Sequence, residues 1–97
     1  MSDIILTATT SAANSNIFQL SARDQIALAT TGTDTAAEYA DIQYSSDGGG
    51  TWKDLYQDGT QVRLHSTNNM VTIEGPGIFR VAKEATTNAI GIIRFGG

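Results

Sequence analysis

The sequence predicts an all-β protein: a small antiparallel β-sandwich, jelly-roll or immunoglobulin-like, of about eight short strands. Three observations predict it. From residue 17 onward, apolar and polar residues alternate in short runs. The runs are punctuated by Gly, Asn, Asp and Pro, residues that supply turn conformations. No window sustains a helical apolar period, the one rival being residues 35–39, long enough for a single turn. An open sheet would leave too much apolar face in water, so two packed sheets are expected.

In chain order, Ile4-Ile5-Leu6 precedes residues 7–16, which are Thr, Ala, Ser and Asn with no apolar period. Residues 1–16 therefore read as an extended N-terminal arm or as a first edge strand, and residues 17–97 as a single sandwich domain. Phe18 and Leu20 alternate, then Ser21-Ala22-Arg23-Asp24 makes a turn. Ile26 and Leu28 form the next strand, and residues 31–37 a loop containing Gly and Asp. Ala40, Ile42 and Tyr44 share one face, with Asp41 and Gln43 on the other. In residues 52–57, Leu55 is out of phase with Trp52 and Tyr56, which a bulge would reconcile.

Asp58-Gly59 supplies the two positive-φ positions of a tight hairpin. Val62 and Leu64 alternate with Arg63 and His65, and Thr67-Asn68-Asn69 turns the chain. Val71 and Ile73 alternate with Thr72 and Glu74. Gly75-Pro76-Gly77 reads as a turn in which Pro76 presets φ and Gly77 takes φ > 0. Phe79 and Val81 alternate with Arg80 and Ala82, residues 83–88 form a polar loop, and residues 91–95 are the last strand.

Composition excludes several function classes. The chain has 97 residues, no Cys and a formal net charge of −4. Disulfides and thiolate metal sites are therefore out. A domain this small buries only about 60–65% of its unfolded surface, so subunit or partner contacts are an expected source of added stability. The basic residues Arg23, Lys53, Arg63, Arg80, Lys83 and Arg94 are scattered, whereas nucleic-acid binding needs them clustered to displace counterions. Apolar runs of three or four residues are too short for a membrane helix. The start lacks the basic region and long apolar stretch of a signal peptide, so synthesis in a cytoplasm is expected.

No residue set carries catalysis or a cofactor. His65 has no second His or Cys beside it and falls on the solvent face of its strand. No nucleophile elbow surrounds any Ser. Asp24, Asp34, Glu38 and Asp41 could meet as paired carboxylates or a calcium site, but no calcium-loop spacing is present and solvated loop acids are expected. Gly48-Gly49-Gly50 is followed by a strand and no Lys-Ser/Thr, so it is not a phosphate loop. The expectation is a protein that is not an enzyme and holds no metal or cofactor.

One motif stands out. Ser45-Ser46-Asp47-Gly48-Gly49-Gly50-Thr51-Trp52 fits S-x-D-x-G-x-T-W at every defined position. It resembles the Asp-box of sialidases and related β-proteins, which fastens a hairpin and lies away from the active site. Locally, Asp47 can accept bonds from turn amides, Gly49 can take φ > 0, Ser45 and Thr51 can bond nearby backbone, and Trp52 can cover the turn. A sialidase propeller needs several four-stranded blades, and one copy in a short chain cannot supply them. A structural hairpin is therefore expected of Ser45, Asp47, Gly49, Thr51 and Trp52.

In length and style the whole chain resembles small virion proteins of tailed bacteriophages of the capsid decoration or cement type. Three segments carry the resemblance: Ile42-Gln43-Tyr44-Ser45 running into Asp47-Gly48-Gly49-Gly50-Thr51-Trp52, then Gly75-Pro76-Gly77-Ile78-Phe79-Arg80-Val81, and Thr86-Thr87-Asn88-Ala89-Ile90-Gly91-Ile92. The resemblance implies a homo-oligomer, dimer or trimer, seated on the capsid exterior against the major capsid protein. It implies contacts through an arm or loops, with Ile4, Ile5 and Leu6 as anchor candidates. The alternative from another class is a carbohydrate-binding or adhesive module using Trp52, Tyr44 and Tyr56 as stacking faces, which requires the three rings to be exposed and coplanar.

Overall fold

A strand with one apolar face is stable only when its backbone finds neighbours and its face finds a second sheet. The computed structural model describes residues 2–32, 38–65 and 68–95, Ser2 by its backbone alone, and meets both demands with two antiparallel sheets. The first sheet has the order β1 (Ser2–Thr9), β12 (Ile90–Phe95), β4 (Gln25–Thr31), β10 (Met70–Glu74). In the second, β11 (Gly77–Lys83) pairs on one side with β2 (Ala13–Asn14) and β3 (Phe18–Leu20). On its other side β11 pairs with β5 (Ala40–Ser45), which pairs with β6 (Lys53–Asp54) and β9 (Arg63–Leu64). β7 (Tyr56–Gln57) and β8 (Thr60–Gln61) form a separate hairpin. No described residue is helical, and the protein is a small antiparallel β-sandwich.

The inner faces supply the core expected from the alternation. Ile26, Leu28, Ile73 and Ile92 of the first sheet meet Phe18, Leu20, Ile42, Leu64, Phe79 and Val81 of the second, all buried. The rings of Phe18 and Phe79 stack at 5.9 Å. At about 25 cal/mol per Å² of apolar surface removed from water, this shared core is what holds the two sheets together.

Several expectations need correction. Of the two alternatives for residues 1–16, β1 is an edge strand of the first sheet, and residues 7–16 are not a free arm. Thr7 to Thr9 complete β1, and β2 pairs with β11. Ser15 and Val81 bond through Ser15 N–H to the Val81 carbonyl (2.8 Å) and Val81 N–H to Ser15 Oγ (2.8 Å), while Asn16 N–H reaches the Ile5 carbonyl at 2.8 Å. The chain thus crosses from one sheet to the other here, and polar residues suit it because their backbone and hydroxyl groups do the joining. The Gly75–Pro76 peptide is cis, and Gly77 does not adopt positive φ. These glycines answer a different need, close approach: a Cβ on Gly75 would collide with the Ser21 carbonyl oxygen, and one on Gly77 would lie 2.7 Å from the Phe79 ring. Lys83 is not loop but the buried end of β11, its ammonium donating to the carbonyls of Ser11 (2.9 Å) and Glu84 (3.0 Å). The single turn suggested for residues 35–39 and the turn at Thr67 fall largely or wholly outside the described residues.

Among the described residues twelve strands replace the expected eight, because irregularities cut the longer runs. The irregularity anticipated at Leu55 is larger than a bulge. Leu55 N–H donates to the Ile42 carbonyl, Ile42 N–H donates to the Val62 carbonyl, and Val62 N–H donates to the Leu55 carbonyl. β6 and β9 are therefore two halves of one edge strand along β5, and the β7–β8 hairpin is an excursion from its middle. Asp58 (φ 52°) and Gly59 (φ 80°) close that hairpin as the sequence predicts.

Candidate interaction surfaces

The Ser45–Trp52 turn is built as its residue types suggest. Asp47 Oδ1 accepts from the Ser45 hydroxyl (2.7 Å) and from the amides of Gly50 (3.1 Å) and Thr51 (2.8 Å). Ser45 Oγ in turn accepts from Gly49 N–H at 2.8 Å, and both Gly48 and Gly49 have positive φ. These donors, the Ser45 hydroxyl first and the Thr51 amide next, hold the exposed Asp47 carboxyl down to about 2. Trp52 lies beside Gly49, and Arg80 places its guanidinium 4.5 Å from the Trp52 ring centre. The turn is a self-contained fastener in which Asp47 Oδ1 and Ser45 Oγ are already engaged.

The other residues singled out by type are likewise engaged locally. Asp41 accepts from Arg63 Nε at 2.8 Å, which pushes the Arg63 pKa up, and Arg63 stacks on Tyr39 at 4.1 Å. Asp24 accepts from Ser21 N–H, and Glu38 Oε2 accepts from the Thr87 amide and hydroxyl, each at 2.8 Å. Asp34 lies outside the described residues, and among those described no three metal-ligating side chains gather. His65 meets the edge of the Tyr39 ring at 5.4 Å. The three rings named for stacking are not all exposed, since Tyr44 and Trp52 are half-buried. Tyr44 packs against the core from the inner face, Trp52 carries Arg80, and Tyr56 stands on the β7–β8 hairpin at 59% exposure.

The anchor candidates divide. In β1, Ile4 opposes Ile93 while Leu6 opposes Ile92, so Ile5 is an extra residue and the strand bulges. Alternation sends Ile5 to the core, where it is buried, and leaves Ile4 68% exposed, while the bulge brings Leu6 to the same side as Ile5. Only Ile4 is therefore available to a partner. Gly91 permits the close approach, since a Cβ there would lie 2.7 Å from the Leu6 carbonyl oxygen.

Pairing registers then join Ile4 to three residues that no sequence motif singles out, Ile93, Ala29 and Met70. Directly opposed residues share a face. Ile4 opposes Ile93, Ile93 opposes Ala29, and Ala29 opposes Met70, so one apolar row crosses all four strands of the first sheet on its outer side. Phe95 and Ala27 form part of the next row. The double-sided apolar run Ile90-Gly91-Ile92-Ile93 is the only sequence signal of this face. The outer face of the second sheet is its opposite in character. There Arg80 Nε donates to Gln43 Oε1 (2.9 Å), Gln43 Nε2 donates to Asp54 Oδ1 (3.1 Å), and Arg63 pairs with Asp41.

No protein family and no curated protein sequence matches the chain. Among solved structures it is similar to the crystal structure of the SPBc2 prophage-derived protein YomS. The TM-score is 0.74 at 14% identity, over 97% of this chain and 88% of that one. At that identity the likeness is one of fold.

Proposed function

We propose that this protein is a non-enzymatic structural component of a bacteriophage particle, a decoration or cement protein that binds the major capsid protein on the outside of the head and stabilises the shell. The observation that carries the reading is the contrast between the two outer faces. A coat layer needs one face that gains by leaving water and another that is stable in it. The row Ile4, Ile93, Ala29, Met70 provides the first, with Ile4 68% and Met70 56% exposed at its ends, Ile93 half-buried and Ala29 buried between them. The inter-bonded polar groups of the second sheet provide the other. The prophage origin printed for the structural neighbour supports the phage part of the reading. The protein is made in the host cytoplasm and works as a symmetric dimer or trimer.

The test is co-sedimentation with shells of the phage that encodes the protein, with the solution mass measured alongside. Wild type should pellet with shells. Ile93→Asp should remain in the supernatant with its circular dichroism unchanged. A wild-type protein that ignores shells ends the capsid reading, and an Ile93→Asp variant that pellets equally well removes this face from it.

A further inference from the structure

We propose that the free edge of β10 takes up a single extended polypeptide segment of a partner protein, which adds to the first sheet as a fifth strand. This goes beyond shell binding, because it concerns backbone groups at the sheet edge and not the apolar face. β10 pairs only with β4 among the described strands. The polarity of the edge follows from two bonds flanking the strand: Thr30 N–H to the Asn69 carbonyl, and Gly75 N–H to the Asp24 carbonyl. Bonded and non-bonded pairs alternate in an antiparallel ladder. In the register Val71↔Leu28 and Ile73↔Ile26, those two pairs are the bonded ones. The N–H and C=O groups of Met70, Thr72 and Glu74 consequently point away from β4, and all three residues are exposed.

An open row of donors and acceptors is a template for strand addition. Here the template has an opposite wall. The β7–β8 hairpin stands beside β10, and a groove of about 290 Å³ between them is lined by Gln57, Thr60 and Gln61 on one side and Met70 and Thr72 on the other. Further along, a second hollow lies between Asp58 of the hairpin and Thr72 and Glu74 of the strand. The hairpin occupies the space where the next strand of a docking sheet would have to lie, so the edge of a second folded copy is disfavoured and a lone strand fits. Charge defines the occupant further. Asp58 and Glu74 sit at one end and no basic residue lines either hollow, while Val62 and Val71 offer apolar contact at the other. The segment is therefore extended, with a Lys or Arg toward Asp58 and Glu74 and an apolar side chain toward Val62.

The probe is a blocked heptapeptide of alternating threonine and valine with one lysine, titrated into the intact ¹⁵N-labelled protein. Saturable shifts and slowed hydrogen exchange are expected at the amides of Met70, Thr72 and Glu74. Thr72→Pro removes one outward N–H and leaves the β4 ladder intact, as edge prolines do. It should fold and weaken the peptide by about tenfold or more. A variant of the peptide N-methylated at alternate amides should bind no better than Thr72→Pro does, which keeps the test independent of that variant's folding. Perturbation centred on β1 or on the apolar face instead, or no saturable shift, would overturn the proposal. Because no shell is present, this result stands apart from the co-sedimentation outcome.

Discussion

Asp47 shows how far a local motif reaches. Its donors lie within four residues of it, so spacing alone was enough to anticipate the turn. In the unfolded chain the carboxyl titrates near 3.8, and in the fold near 2. Between those values the unfolded chain binds a proton that the folded chain does not, so this contribution to stability is complete above about pH 4 and is lost as pH falls toward 2. Thermal melts from pH 4 to 2 should fall more steeply for wild type than for Asp47→Asn, with the variant already less stable at pH 7. Equal slopes would mean the carboxylate does not hold the turn. Gly75 makes the complementary point, since its constraint is the Ser21 carbonyl and not its own turn. Gly75→Ala should cost roughly 1–3 kcal/mol in urea denaturation as the backbone shifts to admit the methyl group. Lys83 was legible to no local pattern, because its partner Ser11 is 72 positions away.

At the level of elements, the decisive features are departures from regular pairing. Ile4 and Ile5, identical neighbours in sequence, are opposite in kind because successive strand residues face opposite sides, and the β1 bulge then turns Leu6 to the same side as Ile5. Ile5→Ala should destabilise by about 2–4 kcal/mol, as removal of a buried aliphatic chain does. Ile4→Ala should stay within about 0.5 kcal/mol. Paired urea melts measure both, and similar losses would place Ile4 in the core as well. The same lesson holds at Leu55. Its phase error was visible in sequence, but the destination of the chain depends on bonds to Ile42 and Val62. The resulting hairpin is what gives β10 an opposite wall.

For the whole molecule, function turns on the difference between two faces. If the first sheet carries the capsid contact, then Gln43→Ala on the opposite face should leave shell retention unchanged while Ile93→Asp abolishes it. Co-sedimentation of the two variants side by side measures this, and equal loss from both would point to a general defect in folding. Gln43 is suited to the comparison because it bridges Arg80 and Asp54 on the outer side of the second sheet. Exposed polar pairs of this kind contribute little to stability.

Sequence by itself determined the all-β class, the inner face of most strands, the Asp58-Gly59 hairpin and the Asp47 turn. Each of these rests on period-two alternation or on bonds between near neighbours, which are written in consecutive residues. Tertiary structure alone decided that Ile4, Ile93, Ala29 and Met70 form one row, that residues 7–16 join the sheets, and that β10 pairs with β4 alone among the described strands. These depend on which strands become neighbours and in what register. A single residue of bulge reverses the face of everything beyond it, and the partner that fixes it lies at the far end of the chain.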